Sequence, residues 1–147
     1  MATSRLNVVS HSAIMKPTET LLLDLRSSDA AVRHNAALEL MEIEDPIAIL
    51  PLLEAIKKPE NVNHRGTLVY ALSAFDCLEH LELLVDLVLT GDFEVSWSAF
   101  GIIQDFEFAP ETSQRLLSQL GKYEIDHLPF EHGAEAYQAL IDLITNH

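Results

Sequence analysis

Asp29-Ala-Ala-Val32-Arg33-His-Asn-Ala36-Ala37-Leu-Glu-Leu40 decides the fold, because the chain repeats it twice more. It lies over Asn61-Val-Asn-His64-Arg65-Gly-Thr-Leu68-Val69-Tyr-Ala-Leu72, and that segment lies over Asp92-Phe-Glu-Val95-Ser96-Trp-Ser-Ala99-Phe100-Gly-Ile-Ile103, at offsets of 32 and 31 residues. Each copy opens on Asp or Asn, whose side chain can accept a hydrogen bond from the unpaired N–H groups of a first helical turn. The apolar positions after it recur at helical spacing. Upstream, Leu21-Leu22-x-x-Leu25, Leu52-Leu53-x-x-Ile56 and Leu84-Val85-x-x-Val88 occupy equivalent places. The repeating unit is therefore a pair of helices.

Working outward, the spacing predicts helices over 17–26, 30–43, 46–57, 62–75, 78–89, 93–106, 110–120 and 131–145, with no strand signal. Pro17, Pro46 and Pro110 fall in first turns, where a missing N–H leaves nothing unpaired. Pro51 sits too deep for that and implies either a helix start at Leu50 or a kink. His64, at the place of Val32 and Val95, is expected at a partly exposed helix start. The expected organisation is one domain over 1–147, with a tail over 1–16 and hairpins over 17–43, 46–75, 78–106 and 110–145. The last helix is expected to cap the stack. Paired helices at this period make an all-α, α-α superhelix of about four hairpins, each burying its apolar face on its neighbours.

The pattern Asp29/Val32-Arg33/Ala36-Ala37, followed by Pro46 after Glu44-Asp45, resembles the HEAT-repeat family. The second unit keeps Arg65 but carries Gly66-Thr67, and the third has Ser96 in place of the Arg. The resemblance implies a solenoid that binds proteins. It also implies that Arg33 and Arg65 are structural, reaching a carboxylate or carbonyl that links adjacent repeats, with Asp29 the candidate partner of Arg33.

Composition sets the class. In 147 residues, 48% are hydrophobic and 22% charged, which is a folding composition rather than a disordered one. Apolar runs fall far short of the roughly 20 residues that span a bilayer, and Met1 to Lys16 has no continuous apolar stretch. With one cysteine, Cys77, flanked by Asp76 and Leu78, the expectation is a cytoplasmic protein whose thiol is a small packing residue. The net charge of −14 is unevenly spread: residues 1–72 carry 9 acids and 7 bases, whereas 73–147 carry 14 acids against Arg115 and Lys122. Such a field repels nucleic-acid phosphates and anionic membranes and attracts a basic protein.

The repeat alignment leaves outward rungs at Ala31/Asn63/Glu94, His34/Gly66/Trp97, Leu38/Tyr70/Gly101 and Glu42/Ala74/Asp105. A Trp and a Tyr among carboxylates suit Arg or Lys side chains, through apolar area, cation–π attraction and fixed acceptors. The expected partner site is Glu94, Trp97 and Asp105, with a hollow at Gly101 and with Tyr70, Glu42 and Glu107 at the rim. Packing of Trp97 against the final hairpin is the alternative. Gly66 and Gly101, within helices, imply something approaching closely at both. No catalytic residue, metal site or cofactor is expected. Glu79-His80 and Glu131-His132 reverse the His-Glu order of the di-iron HEAT-like hydroxylases, Cys77 lacks a zinc partner, and HEAT-like DNA glycosylases need a basic groove. His132 before Gly133 reads as a helix-start residue. Bilin lyases share the repeat size without further correspondence.

The stretch Asn63 to Leu72 is similar to small bacterial HEAT-like proteins encoded beside polymorphic toxins. That resemblance implies an immunity protein, monomeric when free, that neutralises a basic, nuclease-type toxin delivered by neighbouring cells. A general HEAT adaptor is the alternative, and a lyase-like enzyme a more distant one.

Overall fold

A computed structural model describes residues 16–146, so all of the expected N-terminal tail except Lys16 lies outside the described residues. Within them are eight α-helices and no strand. The first hairpin joins α1 (Thr18–Asp24) to α2 (Ala30–Ile43). Asp29 caps α2 by accepting from the Ala31 N–H at 2.9 Å. Glu44 ends it in the left-handed region at φ 59°, an uncommon conformation for a residue other than glycine. Asp45 then accepts from the Ile47 N–H at 3.0 Å and starts a 3-10 turn, Pro46–Ala48. The helical frame restarts in α3 (Ile49–Lys57). Pro51 therefore falls in a first turn after all, where its missing N–H does no harm.

The second unit departs from the expected helix over 62–75. Its second helix, α4, runs from Gly66 to Ala71 and continues as a 3-10 turn, Leu72–Ala74. Asn61 does not cap it. It ends a 3-10 turn, Pro59–Asn61, and is buried with its Nδ2 donating to the Ala55 carbonyl at 2.9 Å. His64 is exposed where Val95 is buried, so no apolar side chain anchors an earlier turn, and the helix forms only where Leu68 and Val69 reach the core. The third unit has a 3-10 turn at Leu78–His80, then α5 (Leu81–Thr90) and α6 (Phe93–Gln104), capped by Asp92 accepting from the Val95 N–H at 3.0 Å. Beyond it lie α7 (Pro110–Leu120), a 3-10 turn at Ile125–His127 and α8 (Gly133–Thr145).

The helices of each hairpin lie together, and α2, α4 and α6 stack side by side. Equivalent positions fill equivalent places: Ala36, Leu68 and Ala99 are buried, as are Leu40, Leu72 and Ile103. Phe100 is half-buried, whereas its equivalents Ala37 and Val69 are fully enclosed. Helix α8 lies against α5 and α6 as well as α7, and its stripe of Ala136, Leu140 and Ile144 is sealed. The last hairpin thus closes the end of the core.

Among the described residues the buried polar side chains are Arg33, Asn61 and Ser96, and all three do the same work. Arg33 Nη1 donates to the Ser27 carbonyl at 2.8 Å, Asn61 to that of Ala55, and Ser96 Oγ to that of Val88 at 2.6 Å. Each carbonyl lies in the last turn of its hairpin's first helix or just beyond it, where backbone donors are few; that of Ala55 also accepts from the Lys58 N–H at 3.4 Å. In the fourth hairpin the Tyr137 hydroxyl donates to the Leu120 carbonyl at 3.0 Å. The tie of Arg33 stays inside its own hairpin rather than linking repeats, and Asp29, occupied in capping α2, is not its partner. Because Ser96→Ala leaves the buried Val88 carbonyl without this donor, it should lower stability by about 1 kcal/mol, read as a thermal midpoint roughly 2–4 °C lower.

Candidate protein-binding surface

Helix α6 turns Val95, Ser96, Ala99, Ile102 and Ile103 to the core. At 100° per residue, Trp97 and Gly101 then centre its outward face, flanked by Glu94 and Asp105 on one side and by Phe93 and Phe100 on the other. The exposed rung Ala31/Asn63/Glu94 and the exposed Leu38 and Tyr70 follow the expected ladder.

Glu94 is exposed, and its carboxylate occupies the space that Gly66 leaves open; a Cβ on Gly66 would collide with it. Close approach at that glycine is thus the side chain of the next unit. Gly101 differs from expectation: no atom of the protein comes within contact of a Cβ placed there. The hollow faces solvent. Tyr70 is 50% exposed on α4. Glu42 near the end of α2, Asp105 at the end of α6 and Glu107 just beyond it are exposed.

Trp97 is half-buried and packs edge-on against Phe93 and Phe100 of its own helix, at centroid distances of 6.1 and 5.4 Å. Its Nε1 is enclosed without a hydrogen-bond acceptor, so what the residue shows to solvent is ring. The row continues past α6: Phe93 meets the ring of His132 at 5.7 Å, and His132 stacks on Phe130 at 5.6 Å with 10° between planes. His132 stands at the start of α8, as its sequence position implies, and its Nε2 lies 3.0 Å from the Gly91 carbonyl, fixing the ring. Phe93 and Phe130 are 66% and 44% exposed. Beside Phe100 a groove of about 540 Å³ runs between α6 and α8, bounded by Gln104, Ala139, Asp142 and Leu143.

Sequence reasoning missed Phe93, Phe130 and His132. The first was open to discovery, since Phe93, Trp97 and Phe100 follow i, i+4, i+7 spacing. The other two are brought in by the loop before α8, and no local pattern marks them.

In the part of the chain that carries this row the carboxylates have few cationic partners. Among the described residues after 72, the lysine or arginine ion pair is Arg115 with Glu82, at 3.7 Å between two exposed side chains. Asp76, Glu79, Asp105, Glu107, Glu111, Glu131 and Glu135 are exposed without such a partner. Asp86 accepts instead from the Tyr123 hydroxyl at 2.7 Å. That bond joins α5 to the segment after α7, as does Gln119 Nε2 donating to the Glu82 carbonyl at 2.9 Å.

Two groups have shifted titration. Cys77 is buried, and burial together with Asp76 pushes its thiol up to about 11. Burial and then the bond to Asp86 push the Tyr123 phenol up to about 12. Among the described residues no cluster of three or more His, Cys, Asp or Glu could hold a metal ion, and no helix is long and apolar enough to cross a membrane.

Residues 18–103, more than half of the chain, match the family described as HEAT repeats. No curated protein and no solved structure matches the chain.

Cys77 should resist thiol reagents in the native protein and react once denaturant unfolds it, because thiolate formation is suppressed where it lies. Tyr123 carries a pH dependence of definite sign. Its folded value lies above the ordinary value of about 10, so the unfolded chain gives up its proton first. Its contribution is whole below about pH 10 and is lost as pH rises through about 12. The alkaline fall in thermal midpoint should therefore be shallower in Tyr123→Phe than in the wild type.

Proposed function

The chain belongs to the HEAT-repeat family, whose repeats are generally protein-interaction scaffolds, and from that premise we propose that it acts by stoichiometric binding of a basic protein. The contact surface is the outward face of α6 with its surroundings: Glu94, Trp97 and Asp105 at the centre, the Gly101 hollow between them, and Tyr70, Glu42 and Glu107 at the rim. Phe93 extends it toward α8. One observation carries this reading: an aromatic row, half-buried at Trp97 and Phe100 and exposed at Phe93 and Phe130, in a part of the chain where, among the described residues after 72, one carboxylate has a lysine or arginine partner. Unpaired carboxylates stay hydrated until a cationic surface meets them. They then steer encounter over long range, while aromatic rings supply the area that holds the complex.

Arginine suits such a surface best. Its guanidinium can stack on the ring that Trp97 presents and still donate in plane to Glu94 or Asp105. The hollow at Gly101 admits the side chain without displacing protein atoms.

The narrower form of the proposal is an immunity role, in which the partner is a basic, nuclease-type toxin domain and the acidic face covers the cleft that would otherwise take up phosphates. The strong acidity of residues 73–147 favours it. A HEAT adaptor that joins other proteins through the same face is the broader form.

Affinity capture from extracts of the source organism, with wild type and Trp97→Ala as paired baits, tests both. Captured proteins should be basic, and Trp97→Ala, confirmed folded by circular dichroism, should weaken the purified complex about 30-fold, equivalent to about 2 kcal/mol. Raised salt should slow association by screening. Salt-insensitive association, or unchanged affinity in the folded variant, would remove the surface from the argument. Protection of cells from the captured protein by co-expression separates immunity from adaptor function.

A further inference from the structure

The near-neutral half of the molecule holds a site of opposite character. Where the α1–α2 turn meets the 3-10 turn before α4, a groove of about 350 Å³ is lined by Arg26, Ser28, Arg33, Lys58 and His64, with Glu60 as its one acid. None of the three basic side chains is in an ion pair with a described carboxylate. Arg26, Arg33 and Lys58 against Glu60 leave a local charge of about +2 before His64 is counted, in a chain whose net charge is −14.

Arg33 is the anchor. It is 4% exposed, its Nη1 donates to the Ser27 carbonyl at 2.8 Å, and its Nε is enclosed with no acceptor. Burying a guanidinium on one neutral hydrogen bond leaves most of its desolvation uncompensated. An oxyanion in the groove would add a charged acceptor to the part of the Arg33 guanidinium that lines it, because the planar fork offers donors suited to the oxygens of a phosphate. Arg26, exposed, and Lys58, half-buried, stand at the same groove to share the second negative charge. The neighbouring polar group of Asn61 is already committed to the Ala55 carbonyl.

We propose that this groove binds a small ligand through a dianionic phosphate monoester group. The site is separate from the α6 surface and does not depend on the partner proposed there.

Titration of the labelled full chain with inorganic phosphate, followed by amide chemical shifts at constant ionic strength, tests it. Saturable shifts confined to residues 26–33 and 58–65 are expected. Arg26→Ala combined with Lys58→Ala, which leaves the core untouched, should weaken binding at least about tenfold, as should Arg33→Met if it folds. Trp97→Ala should leave phosphate binding unchanged. Shifts that do not saturate, that chloride alone reproduces, or that persist at full strength in the double variant would overturn the site. Co-sedimentation with phosphatidate-containing vesicles that needs the same cations, without saturable binding of free phosphate, would overturn the small-ligand form.

Discussion

A carbonyl near the end of a helix has few backbone donors within reach, and in this protein each hairpin adds a side-chain donor from inside the hairpin, even at Ala55 and Leu120, which also accept from the Lys58 and Tyr123 N–H groups. Ser27, Ala55, Val88 and Leu120 present the acceptors; Arg33, Asn61, Ser96 and Tyr137 supply the hydrogens. The tie fixes how the second helix returns along the first, and that geometry determines which side chains meet the next unit. Ala36, Leu68 and Ala99 fall in register at the contact between units. Three of the four donors are themselves buried, so breaking a tie removes a bond and strands a polar group in an apolar surrounding, where the penalty is largest.

The periodicity of the chain was enough to place eight helices and the buried ladder, because helical spacing and Asp caps are local signals. The second unit was misread at Asn61, where the residue type suits a cap but the side chain is drawn inward to Ala55. That choice depends on where α3 ends in space, which spacing does not encode. The outward rungs at Glu94, Trp97 and Tyr70 were legible for the same reason as the core, being its complement. What stayed hidden was every contact made across a loop: His132 on Phe93, Tyr123 on Asp86, and the Glu94 carboxylate over Gly66.

Charge divides the molecule along the stack. Among the described residues the last hairpin and the surroundings of α6 after residue 72 are rich in carboxylates with few lysine or arginine partners, while the groove between the first and second hairpins gathers three cations around one acid, Glu60. Each group could have neutralised the other had the two been adjacent. Among the described residues no ion pair joins the two groups, although the Glu94 carboxylate of α6 reaches Gly66, two residues from His64 of the groove. Separation preserves both fields for outside ligands, one attracting a basic surface and the other an oxyanion.

The hairpin ties also bear on how such a chain can change over generations. Their acceptor is the backbone, which substitution does not alter, and their donor has already been an arginine, an asparagine, a serine and a tyrosine within a single molecule. Selection here acts on the presence of a hydrogen at one point in space rather than on the identity of the residue that carries it. Repeats built this way can drift until little sequence likeness between them remains, and still fold as the same hairpin.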